Sequence, residues 1–125
     1  MPEFMLLVRN QADHQASWKP ERHLAFVKQC ETYIGELKQG DKLIAAQPLV
    51  KAGVVVKGSK AAWQETPLDR NGKIQVGYYH IRAADTAEAI AMAKGNPEFE
   101  FSTSAEVEVR MIKTHEAETG FIYPK

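Results

Sequence analysis

The sequence predicts an α+β fold, an antiparallel sheet with helices on one face, and three observations lead there. Apolar or alternating runs recur at residues 4–9, 42–46, 74–82 and 105–112. Two intervening segments carry helical spacing and are followed by stop signals. Two β-rich runs flank Gly58-Ser59, the mark of a hairpin. With 125 residues, 44% hydrophobic and 26% charged, the chain suits one domain with a core of its own.

Phe4-Met5-Leu6-Leu7-Val8-Arg9 is nearly continuous in apolar character and reads as a central strand covered on both faces. Residues 10–18 are polar and loop-like. Pro20 suits a first helical turn, where its missing N–H costs nothing. Leu24, Val27, Cys30, Ile34 and Leu37 then recur at helical spacing, and Gly40 is placed to end a helix over 20–39. Lys42 to Ala46 reads as a strand. Gly53 to Lys57 and Ala61 to Glu65 form the hairpin around Gly58-Ser59, and Thr66 to Lys73 is a loop. Ile74 to Arg82 is a strand rich in Ile, Val and Tyr.

Asp85 or Thr86 can cap a second helix, with Glu88 as capping-box partner three residues after Asp85. Ala89, Ile90, Met92 and Ala93 give it an apolar face, and Gly95-Asn96-Pro97 stops it. Residues 105–112 alternate, with Val107, Val109 and Met111 against Glu106, Glu108 and Arg110. The order β-α-β, hairpin, β-α-β is a ferredoxin-like split βαβ with an inserted hairpin. The domain spans 1–112, and a tail, 113–125, is expected to dock on the domain or on a second copy.

The helices cover one sheet face only. The Leu and Met residues of the first strand, a Tyr of the pair Tyr78-Tyr79, and Trp63 cannot all fit beneath two helices. A surplus apolar sheet face marks an interface or ligand site, and the simplest partner is a second copy packed sheet to sheet. Sixteen basic and sixteen acidic residues give zero net charge, which offers little long-range resistance to such pairing. Residues 1–62 carry +3 and residues 63–125 carry −3, too small an asymmetry to mark a basic or acidic tail.

Neutrality also argues against nucleic acid. Gly77-Tyr78-Tyr79-His80-Ile81 resembles an aromatic RNA-stacking strand only faintly, since Val76 stands where a basic residue is needed. No apolar run reaches membrane-span length. The start Met1-Pro2-Glu3 does not read as a signal peptide, and a single cysteine excludes a disulfide framework within the chain. A cytoplasmic protein is expected. His14, His23, His80 and His115 show no metal-ligand spacing, so no metal or cofactor is expected, and Cys30 reads as a core residue.

The candidate catalytic residues are His23, in the first turns of the long helix, and His80, on the Ile74–Arg82 strand. Alternation puts His80 on one side with Tyr78, Val76 and Ile74, opposite Tyr79 and Ile81. Tyr78, Tyr79 and Trp63 are candidate substrate contacts, and Arg9 and Arg110 are candidates for an anionic group. Each has a plainer reading beside it. His23 also fits a surface position, His80 a packed sheet position, and the arginines cross-strand pairing with glutamates.

A further pattern is carried by an ordered set: Glu3 to Asn10; Gly40-x-x-Leu43 leading to Gln47-Pro48-Leu49; Gly77-Tyr78-Tyr79; Thr86 to Pro97; and Glu106 to Arg110. Together these resemble the YCII-related family, also called DGPF-domain proteins, over about residues 3–112. The resemblance implies a ferredoxin-like subunit paired into a dimeric α+β barrel. Most of the family has no established activity, and some related proteins act on ring-derived small molecules. One branch has a proposed His–Asp active-site pair; His23 matches the His, and Asn96 stands where the Asp would be. An amide cannot orient a protonated imidazole as a carboxylate can, which argues against that pair in this chain. The family's Asp-Gly-Pro-Phe/Tyr motif is also changed here, to Gln64 through Asn71, with Pro67 retained.

Two functions follow as expectations. One is a homodimeric small-molecule-binding protein or enzyme with its site in the barrel interior. The other is a non-catalytic dimeric interaction or regulatory module, suggested by the altered motif, the substituted Asp and the tail.

Overall fold

The computed structural model describes residues 1–125. The order is β1 (Glu3–Gln11), α1 (Pro20–Gln39), β2 (Leu43–Pro48), β3 (Val54–Ser59), β4 (Ala62–Pro67), β5 (Lys73–Arg82), α2 (Thr86–Lys94), α3 (Glu98–Phe101) and β6 (Glu106–Met111). The main sheet runs β2-β5-β1-β6 with antiparallel pairing throughout, and β3-β4 form a separate ribbon. This is the ferredoxin-like α+β arrangement with an inserted hairpin. No helix is long and apolar enough to cross a membrane.

β1 organises the core because both its edges are paired. Phe4, Leu6 and Val8 point to the helix side and are almost wholly buried. Opposite them stand Ile81, Tyr79 and Gly77 of β5, and Met111, Val109 and Val107 of β6. Tyr33 and Leu37 of α1 and Ala89 and Ala93 of α2 close this core from above. The Tyr33 hydroxyl donates to the Met92 carbonyl at 2.6 Å, fastening α1 to α2.

Local signals explain the helix ends. Pro20 opens α1, and Gly40 N–H donates to the Glu36 carbonyl at its close. The left-handed residue behind that helix is Asp41, at φ 55°, rather than Gly40. Asp85 caps α2 by accepting from Glu88 N–H at 2.8 Å. Glu88 reaches back to Ala84 N–H at 3.2 Å, one residue before the capping-box position.

Several expectations are corrected. Strict alternation fails in β5: Arg9 faces Gln75 and Val8 faces Gly77, so Val76 is an extra, bulged residue. The bulge reverses the strand's phase. Ile74 and Val76 face the helices with Tyr79 and Ile81, while Tyr78 and His80 face the other way. The hairpin turns at Lys60-Ala61, and Gly58 lies within β3 opposite Trp63. There φ is +118° and an added Cβ would stand 2.1 Å from the Ala62 carbonyl oxygen, so only glycine fits. Leu24 is exposed, and the helix α1 stripe begins effectively at Val27. A short helix, α3, follows the Asn96-Pro97 stop and was not foreseen.

Candidate functional site

Two cavities of about 500 Å³ lie on opposite faces of the sheet. The first opens between α1 and the sheet. Its walls include Val8, Val27, Ile34 and Val76, and its polar groups include His14, His23, Cys30, Tyr79 and Glu98, with Glu31 and Lys51 also in the lining.

Glu98 is the organising residue. It is 6% exposed, and burying a carboxylate demands partners. Asn10, wholly buried at the end of β1, donates from Nδ2 to Glu98 Oε1 at 2.9 Å. Asn10 is itself held by Ser102 and Ser104: its Nδ2 lies 3.1 Å from Ser102 Oγ, and its Oδ1 accepts from Ser104 Oγ at 2.5 Å. The Asn96 side-chain oxygen accepts from Glu98 N–H at 2.8 Å and fixes the start of α3.

His14 stands on the other side of Glu98. Its Nδ1 is 2.8 Å from the Gln11 carbonyl, which can only accept, so Nδ1 carries a proton. Nε2 lies 2.7 Å from Glu98 Oε1, both side chains being more than nine-tenths buried. The approach is off the line of a hydrogen bond, and Nε2 has no directed partner. Glu98 Oε2, in contrast to Oε1, makes no hydrogen bond within the protein.

Aromatic packing secures this polar group from outside. Trp18 packs on Phe26 and Phe101 with ring centroids 5.3 and 5.7 Å apart, and reaches His14 edge-on at 6.1 Å. The Arg22 guanidinium lies 5.1 Å from the Trp18 ring and 4.9 Å from Phe101, and donates to the Phe101 carbonyl. The loop 12–18, shorter than the 10–18 expected because β1 runs on to Gln11, is thereby tied to α3.

Cys30 is a half-buried wall residue of this cavity, not a core residue. Burial, and then the charges of Glu98 and Glu31, push its thiol up to about 11. Burial first, and then Cys30, Tyr33 and Glu98, push the Tyr79 phenol far above its ordinary value. Both therefore stay protonated at neutral pH and serve as donors or apolar wall rather than as nucleophiles. The thiol's rise from 9.0 to about 11 predicts a native alkylation rate by iodoacetamide at neutral pH roughly 100-fold below that of an unperturbed cysteine. A rate equal to that of a free thiol would contradict the burial and charge described here.

The sequence-predicted residues divide between the two faces. His23 and Tyr79 line the α1 cavity. His80, Tyr78, Arg9 and Arg110 lie on the open face, with Met5, Leu7, Glu106 and Glu108. Arg9 stands 3.8 Å from Glu106, a loose surface pair. His80 Nε2 meets Glu3 Oε1 at 2.8 Å beside the second cavity. Trp63 is 60% exposed on the hairpin, away from both cavities. His14, Asn10 and Glu98 were not singled out as site residues. Their only sequence signal is polar character beside a strand end and a Pro, since 88 residues separate Asn10 from Glu98. No group of three His, Cys, Asp or Glu side chains converges as a metal site would.

No curated protein matches the sequence significantly. The family model of the YCII-related domain matches residues 3–113. With its ferredoxin-like fold and nearly its whole length accounted for, the chain belongs to the YCII-related family.

Proposed function

We propose that the α1 cavity is a small-molecule site in which Glu98 moves a proton. The observation that carries this reading is the asymmetry of that carboxylate. One oxygen is engaged by Asn10 and His14, while the other has no protein partner and the residue lines a cavity of about 500 Å³. Such a volume suits a ring-sized ligand. The Tyr79 phenol, with no protein acceptor, is available to hold a carbonyl or hydroxyl oxygen of such a ligand. Glu98 Oε2, unpartnered within the protein, can accept a proton from the ligand and return one after exchange with solvent in the cavity. His23 stands in the cavity wall without a side-chain hydrogen bond of its own. On this reading the site lies beneath α1 rather than in the lumen between paired sheets.

Pairing of two subunits through the open face belongs to the same reading. The isolated chain exposes 8578 Å², whereas a compact monomer of 14.0 kDa exposes about 6,700 Å². The excess supports assembly, as do half-buried Met5, Leu7 and Tyr78 at the centre of that face. The hairpin adds Val54, Val56 and Trp63, 60–64% exposed, and a lone two-stranded ribbon is marginal in water. Arg9 and Arg110 then face the second copy, whereas His80 lies under the chain's own tail.

The test is proton exchange. A panel of small cyclic ketones and lactones is followed by proton NMR in deuterium oxide. The wild-type protein is expected to speed loss of an α-proton signal for at least one member. Glu98→Gln should slow that loss by about 10²–10⁴, the usual worth of a general base. Equal behaviour of wild type and Glu98→Gln across the panel would overturn the reading.

A further inference from the structure

The second cavity lies on the other face of the sheet from the α1 cavity and at the other end of β1. At its base is Glu3, whose side chain is only 11% exposed. Glu3 Oε1 pairs with His80 Nε2 at 2.8 Å, and Oε2 with Lys125 Nζ at 3.0 Å. The remaining wall is largely apolar, from Met1, Pro2, Met111, Ile122 and Pro124.

Lys125 arrives on a tail that holds its shape without that contact. Glu116 N–H donates to the Phe121 carbonyl at 2.8 Å, and Tyr123 N–H to the Thr114 carbonyl at 2.9 Å. The Tyr123 hydroxyl donates to Glu116 Oε2 at 2.7 Å. Lys113, the other lysine of the cavity wall, is engaged by Glu116 at 2.5 Å. Lys125 is 56% exposed and pairs with Glu3 alone.

We propose that Glu3, His80 and this cavity form a binding site for a small organic ammonium bearing a short apolar group, and that Lys125 occupies its cation position in the free protein. A desolvated carboxylate holds an ammonium through short, charge-assisted hydrogen bonds. His80 aims Oε1 and leaves Oε2 for the ligand, while the apolar wall receives the alkyl substituent. Displacing Lys125 costs little, because a flexible, half-exposed lysine gains little from its pair. The inference does not depend on the α1 cavity or on its chemistry.

The experiment titrates the full chain and its Lys125→Ala variant with n-butylammonium at neutral pH, observing the His80 ring by NMR. Lys125→Ala removes an exposed side chain and should fold as the wild type does. Its affinity for n-butylammonium is expected to be about two- to fivefold higher, with no binding of butan-1-ol or butyrate. Adding Glu3→Gln should abolish amine binding. Equal amine affinity in wild type and Lys125→Ala, or butan-1-ol or butyrate binding as tightly as the amine, would overturn the proposal. The butan-1-ol comparison needs no change at Glu3 and decides the matter if Glu3→Gln does not fold.

Discussion

Asn10→Ala is expected to destabilise the protein by about 3 kcal/mol or more. Asn10 is wholly buried, and its side chain joins Glu98, Ser102, Ser104 and the Gln11 N–H. Alanine removes the one amide that donates to Glu98 Oε1 and opens a small void among polar atoms. Glu98 is 6% exposed and would keep a desolvation cost that the native network offsets. Urea denaturation of wild type and variant gives the difference directly. Ser102→Ala, which removes only one member of the network, should cost about 1 kcal/mol. Were Asn10→Ala to lose less than Ser102→Ala, the buried network would not be what holds Glu98.

Phe4→Ala should cost about 3–5 kcal/mol, the range for deleting a large buried side chain. Phe4 is 0% exposed on the strand paired at both edges, opposite Ile81 and Met111. Its neighbours belong to paired strands and cannot easily collapse into the vacancy. A domain of this size has a total stability of about 5–15 kcal/mol, so the loss is a large share of the whole and should lower the melting temperature clearly. Calorimetry against the exposed-position control Val54→Ala separates core loss from general fragility. Similar melting temperatures for the two would show that the core is not centred on β1.

How much of this was readable from the sequence depended on how local the signal was. α1 was legible because Pro20 and the spacing of Val27, Cys30, Ile34 and Leu37 all lie within the helix. The Asp85 cap and the alternation of β6 were legible for the same reason. The β5 bulge was not, because pure alternation carries straight through it. Its one trace is Gly77, a glycine inside a strand, where an added Cβ would lie 3.1 Å from the Gln47 carbonyl oxygen. The extra residue, Val76, turned Tyr78 and His80 to the face opposite Ile74.

The candidate site was less legible than the fold. His23 and Asn96 both line the α1 cavity, but the buried imidazole–carboxylate pair there is His14 and Glu98. Asn96 does structural work here, accepting from Glu98 N–H, and Glu98 two residues later supplies the carboxylate. His14 sits in a loop whose polar composition gives no hint that it is folded beneath Trp18. Such pairs are made by tertiary contact alone, and no periodicity reports them.

The most direct measurement is the location of a bound ligand. A compound whose proton exchange the protein accelerates is titrated into isotope-labelled protein, and backbone and side-chain NMR shifts are mapped. The largest changes are predicted at Val8, Cys30, Tyr79 and Glu98, on the helix side of the sheet. Changes concentrated instead at Met5, Leu7, Tyr78 and Arg110 would place the site in the space between paired sheets and contradict the assignment to Glu98.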